Sequence, residues 1–225
     1  MPAETSSLVA SHPAVEARLD GGAAAQRARI LEGMTQAVAE KGYVAATVAD
    51  AVRAAHVSRG TFYALFATKE ECFLEAYRHG VEVIADRIEA AVAAEPGGWR
   101  AKLRAALHAY VDTLASEPRF ARTYHLEIHA AGPRAQAERD AVLRRFADRY
   151  RRSFEGARRE RPDLGVPSGE ALFVLAAGAD QLVCARLRED RLTADPPLGD
   201  VLLSCAVAFL EGTCPSPTPD PTKGP

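Results

Sequence analysis

The sequence predicts an all-α fold, in which a small N-terminal helix-turn-helix unit is joined by a long helix to a C-terminal helical bundle. Three observations predict it. Between about residues 24 and 213, apolar side chains recur at i, i+3, i+4 and i+7, the period of a helix with one buried face. No segment alternates apolar and polar residues for long enough to suggest a half-buried strand. Residues 47–66, TVADAVRAAHVSRGTFYALF, place two short helical patterns on either side of a three-residue turn.

Taken in order, residues 1–23 are rich in Ala, Ser, Pro and Gly without a usable period and read as a flexible arm. RILEGMTQAVAEKGY, from Arg29, forms the first helix and breaks at Gly42-Tyr43. Thr47 caps the next helix, with Asp50 three positions on completing a shortened capping box. Val48, Ala51, Val52 and Ala55 share one face of it. The chain turns at Ala55-His56-Val57, and Ser58 caps a helix that turns Phe62, Leu65 and Phe66 inward.

Arg59, Gly60, Thr61 and Tyr63 are left facing out, and each has a use on duplex DNA. A guanidinium can bridge guanine O6 and N7, a glycine admits a close backbone approach, and hydroxyls donate to phosphate oxygens. With the capping hydroxyls Thr47 and Ser58, and with Lys69 at the start of the following helix, they form the expected DNA-binding set. An ordinary pair of core helices is the competing reading of this segment.

These residues carry a resemblance to the TetR family of bacterial transcriptional regulators. It runs from about Arg29 to Tyr77 and combines Gly42-Tyr43, Thr47, Val57-Ser58, the GTFY of residues 60–63, Phe66 and the Lys69-Glu70 pair in order and spacing. Two positions depart from the family pattern. His56 stands where glycine is common, so a residue with a side chain accepts a left-handed conformation, and Ala51-Val52 reverses the usual large-then-small order. The resemblance implies a DNA-binding unit over residues 24–70 and a ligand-binding and dimerisation bundle over residues 71–213.

Thr68-Lys69-Glu70-Glu71 supplies a capping box for a long helix with Phe73, Tyr77, Val81, Ile84, Ile88 and Val92 on its apolar face. It ends before Glu95-Pro96-Gly97-Gly98, and a further helix carries Leu103, Leu107, Tyr110, Val111 and Leu114. Glu117-Pro118 opens a helix reaching to Gly132-Pro133, and a highly charged helix follows through Arg161 with Val142, Phe146, Tyr150 and Phe154 as its stripe. After the break from Arg161 to Pro167 come two helices, Ser168 to about Asp190 and Leu198 to about Glu211. Residues 214–225, in a Pro-rich tail, form no helix.

The last two helices are apolar around most of their circumference, which requires contacts on more than one side. A monomer core satisfies that. The resemblance implies instead a homodimer in which this helix pair packs against its copy, giving two recognition helices and a palindromic operator. It also implies a bundle that holds a small, often apolar effector, whose binding tilts the long helix and separates the DNA-reading units; most members are repressors. Tyr110, His125, His129 and Gln181 are polar residues set among apolar helical faces and are the candidate ligand-binding groups. Each reads equally as a core polar group with a satisfied hydrogen bond.

Composition narrows the alternatives. With 225 residues and 48% hydrophobic content the chain is globular, and a net charge of −2 confines any DNA affinity to a local patch. Residues 24–70 carry six cations against four acids. Cys72, Cys184, Cys205 and Cys214 show no C-x-x-C spacing, so no disulfide framework is expected. No apolar run spans a bilayer and no basic-then-apolar leader is present, so the expected location is cytoplasmic, with no membrane partner.

His125 and His129 lie at i and i+4, a zinc-capable spacing, so a helical metal-dependent enzyme is one alternative function. Against it, Glu127 projects about 200° away from the histidine face, whereas a zinc protease needs H-E-x-x-H. No phosphate loop, nucleophile elbow or carboxylate pair occurs, so no catalytic residue, metal or cofactor is assigned. A constitutive DNA-binding protein without effector is the other alternative.

Overall fold

The computed structural model describes residues 21–211, which contain helices and connecting turns and no strand. The helices are α1 (Gly21–Lys41), α2 (Val48–Ala54), α3 (Arg59–Leu65), α4 (Lys69–Ala94), α5 (Trp99–Ser116), α6 (Pro118–Leu126), α7 (Pro133–Glu160), α8 (Gly169–Arg188) and α9 (Leu198–Glu211), with a short 3-10 helix, Glu127–Ala130, after α6. The expected tail at residues 214–225 and residues 1–20 of the expected arm lie outside the described residues. Residues 21–23, assigned to the arm from sequence, belong to α1.

Local chemistry sets the helix ends. The Thr47 hydroxyl accepts from Asp50 N, and the Asp50 carboxylate accepts from Thr47 N at 3.1 Å, so the capping box is complete. At α4 the Thr68 hydroxyl accepts from Glu71 N, but the Glu71 carboxylate reaches Ala67 N at 2.8 Å, one residue earlier than the expected box. Pro118 and Pro133 stand at the starts of α6 and α7, where their missing N–H costs nothing. His56 takes a φ of 52°, the left-handed turn conformation expected of it.

One helix differs from its sequence reading. The helix opened by Pro118 stops at Leu126 and tightens into the 3-10 turn, instead of running on to Gly132. Three residues per turn in place of 3.6 take His129 off the face of His125.

The N-terminal helices fold against α4. Gly33 lets α1 lie almost on the α2 backbone: a Cβ there would sit 2.4 Å from Ala51 O and 2.8 Å from Ala55 N. Arg27 pairs with Glu75 of α4 and lies 4.7 Å above the Phe66 ring, while Tyr43 packs on Phe73 at 4.8 Å. Gly80 brings Phe120 of α6 against α4 in the same way, since a Cβ there would fall 1.9 Å from the ring. The buried residues form one core from Ile30 to Leu210, continuous across the expected boundary at residue 70, because α4 serves both units.

Candidate nucleic-acid interface and bundle cavity

The helix-turn-helix presents the expected groups. The Ser58 hydroxyl accepts from Thr61 N at 3.0 Å and lies 2.9 Å from the Thr61 hydroxyl, fixing the start of α3. Phe62 is fully buried, which turns Gly60 and Tyr63 outward, and Arg59, the first residue of α3, is exposed at the helix start. Tyr63 is 56% exposed, and its ring meets Phe62 edge to face at 5.3 Å. Arg59 makes no hydrogen bond or ion pair among the described residues.

Thr47 and Lys69 are less free than their sequence positions suggest. The Thr47 hydroxyl is occupied with Asp50, donating to its carboxylate at 2.7 Å. The Lys69 ammonium donates to Tyr43 O at 2.7 Å and Ala46 O at 3.0 Å and sits 4.1 Å over the Tyr43 ring, which leaves one of its three N–H donors unused. Burial pulls its pKa down. Lys69 thus braces the loop that delivers α2.

Asp50 anchors the same loop from the other side, pairing with Lys41 at 2.6 Å and Arg53 at 3.2 Å. The Lys41 hydrogen bond, with that of Thr47, holds its carboxyl well below the usual range. A depressed folded pKa contributes stability that is complete above the unfolded value, near pH 4, and is lost as pH falls toward the folded one. Asp50→Asn is therefore expected to flatten the acid limb of the unfolding profile below about pH 4. Thermal melts of both proteins across that range check it, and parallel acid limbs would remove Asp50 from this role.

Beneath α4 the bundle encloses a cavity of about 100 Å³. Tyr77, Val81, Ile84 and Ile88 of α4 form one wall, Leu103, Leu107 and Tyr110 of α5 another, and α6, α7 and α8 close it. At its inner end His125 Nδ1 meets the Asp180 carboxylate at 2.9 Å, Arg139 pairs with the other carboxylate oxygen, and the Tyr110 ring lies 6.3 Å from the imidazole. Burial pushes the Asp180 pKa up, but the His125 hydrogen bond and the Arg139 charge outweigh it and hold the group ionised. His125, Asp180 and Cys184 bring potential metal-ligand atoms within 4.8 Å of one another. The Cys184 thiol is pushed up to about 11 by burial and donates to His125 O, and the guanidinium beside Asp180 opposes a cation there.

Residues 30–76 match the family model for bacterial regulatory proteins of the tetR family. Over that segment the chain is similar to bacterial regulators of the tetR family. Regulators of this family bind DNA and are not enzymes.

Solved structures share the fold well beyond the matched segment. The fatty acid degradation regulator FadR from Bacillus halodurans is 20% identical with a TM-score of 0.67, over 83% of this chain and 98% of that one. FadR from Bacillus subtilis, solved in complex with stearoyl-CoA, is 17% identical with a TM-score of 0.69 over the same shares, 83% and 98%. PfmR from Thermus thermophilus is 20% identical with a TM-score of 0.60, over 81% and 97%. No curated protein sequence matches the chain.

The cavity takes two of the four polar residues expected to bind ligand. Tyr110 and His125 line it. His129 is exposed on the 3-10 turn, and Gln181, one residue and so 100° beyond Asp180, faces out from α8. Neither lines the cavity. Arg139, Asp180 and Arg149 occupy the polar positions instead. Sequence pattern hides Arg139 and Arg149, since charged residues on a charged helix read as solvated, and Asp180 is a single carboxylate on an otherwise apolar stretch of α8. The pattern also hides Glu127, whose carboxylate accepts from Tyr43 N at 2.7 Å across 84 residues of sequence. Among the described residues no helix is long and apolar enough to cross a membrane.

Proposed function

We propose that this regulator binds a palindromic operator as a homodimer, most simply as a cytoplasmic repressor, and that a small effector occupying the bundle cavity releases it. The observation that carries the reading is the cavity directly under α4, the helix that begins at the recognition unit. A bundle filled solid would favour a constitutive DNA-binding protein. The neighbour solved with stearoyl-CoA supports an effector with a large apolar part.

Arg59, Gly60, Thr61 and Tyr63 are the proposed DNA-facing groups, with Thr47 and Ser58 fixing the helix starts and the remaining N–H of Lys69 available to a phosphate. The cavity reaches them by two links. α4 contributes four lining residues and starts directly after Phe66. α6 lines the cavity with Tyr124, whose hydroxyl is 2.6 Å from Thr35 of α1, and is followed by Glu127, which holds Tyr43 N. Effector and operator are expected to weaken each other by the same coupling, about 1–3 kcal/mol.

Capture of genomic fragments by the full chain, followed by effector titration on the captured operator, tests the function as a whole. With the operator in hand, Arg59→Ala is expected to cost about 1–3 kcal/mol and to relax one base position. Tyr63→Phe should weaken all sequences alike, because a phosphate carries no sequence. Titrations on single-base operator variants separate the two, and an Arg59 variant that binds unchanged would sink the assignment.

A further inference from the structure

Glu127 belongs to the bundle, yet its carboxylate ends on the backbone of the helix-turn-helix unit, and the way α1 stops explains why a donor waits for it there. Gly42 takes a φ of 77° and closes α1 with its own N–H on Val38 O at 2.8 Å. A cap with that single bond leaves the next N–H, that of Tyr43, outside the helical ladder. Glu127 Oε2 accepts it at 2.7 Å across 84 residues of sequence, and a Cβ on Gly42 would come 3.2 Å from the same oxygen.

The same segment is held from its other side. Lys69, at the start of α4, donates to Tyr43 O at 2.7 Å and Ala46 O at 3.0 Å, and Ala46 N returns to Gly42 O at 3.0 Å. Residues 42–46 are therefore a braced turn, and Thr47, the cap of α2, follows it directly. Within α3 only Phe62 is buried, so the direction of that helix depends on what holds α2 and α4 at its two ends.

The bundle end of the tie is anchored too. Glu127 opens the 3-10 turn after α6, next to the fully buried Ile128, and α6 lines the cavity with Phe120, Tyr124 and His125. A displacement of α6 is thus passed to Tyr43 N through one side chain. We infer that Glu127 is a positioning residue for operator binding, the group by which the bundle holds residues 42–46, and with them α2 and α3, in the DNA-reading arrangement; the inference rests on the operator reading above.

Titrations of Glu127→Met, Glu127→Ala and Glu127→Gln on the captured operator test this, at a temperature where circular dichroism shows each variant fully folded. Met keeps the length of the side chain and removes the acceptor, and Ala removes both. Each is expected to bind the operator about tenfold more weakly, with affinity for a non-operator duplex kept within about twofold. Gln presents an amide oxygen at the same reach and should stay within about threefold of the wild-type chain on the operator. Amide exchange over residues 42–46 should quicken in Met and Ala and not in Gln. Wild-type operator affinity in the Met variant, equal losses on both duplexes, a Gln variant as weak as Met, or unchanged exchange over residues 42–46 would overturn the inference. Should Met not fold, Ala decides by the same criteria. A wild-type chain that prefers no duplex over another would count instead against the operator reading, and the exchange comparison then decides the tie by itself.

Discussion

Gly33→Ala is expected to destabilise the protein and to weaken operator binding, although alanine is the better helix former. In an open helix the substitution gains about 1 kcal/mol. At Gly33 the new methyl would lie 2.4 Å from Ala51 O and 2.8 Å from Ala55 N, atoms of the α2 backbone that cannot rotate away. Overpacking against fixed neighbours costs about 1–3 kcal/mol and more where backbone must move, so the clash outweighs the propensity gain. A net loss of about 2 kcal/mol lowers the melting temperature of a chain this size by about 4–8 °C. Because α2 supports α3, the same displacement shifts Arg59 and Tyr63 and should reduce operator affinity. Gly156→Ala is the control: nothing lies within 4 Å of its Cβ position on α7, so it should stabilise by about 0.4–1 kcal/mol. Melting curves with opposite signs for the two variants are the expected result, and a Gly33 variant with unchanged stability and operator affinity would show that α1 and α2 do not meet this closely.

Ala208→Asp is expected to yield a folded monomer with operator affinity reduced about 100-fold or more, since each half-site is then bound without the effective concentration supplied by its partner. Ala208 is exposed on α9 beside Ser204 and Cys205, and α8 carries Val174, 64% exposed, with Gly178 and Gln181 along one face. These are small or apolar residues at helical spacing, suited to an isologous helix-on-helix contact. A charge at Ala208 is expected to break such a contact and to leave the chain's own core intact. The neighbouring substitution Phe209→Asp should behave differently, because Phe209 is half-buried and stacks on Phe154 at 6.5 Å, so its loss damages the bundle itself. Light scattering with circular dichroism distinguishes the outcomes. A folded Ala208 variant that stays dimeric with full operator affinity would place the interface elsewhere.

What the sequence determined by itself is what depends on a few neighbouring residues. The Thr47–Asp50 box, the Ser58 cap, the proline starts of α6 and α7 and the apolar stripes of α4 and α7 are all encoded within one or two helical turns, and the structure has them in place. So is the outward position of Tyr63, which lies 100° round α3 from the buried Phe62. Gly33 and Gly80 stand inside helical patterns, but only their partners, Ala51 and Phe120, show what they admit. The tertiary structure alone decided the membership of the cavity. Whether a polar residue faces it depends on which helices converge and at what rotation, contacts made 55 residues apart for His125 and Asp180. The turn that tightens after Leu126 removed His129, and 100° of helical rotation removed Gln181. Lys69 likewise became a brace because Tyr43 O and Ala46 O, 26 and 23 residues away, fold beneath it. Local chemistry fixes where helices begin and end, and long-range packing fixes which of their faces meet.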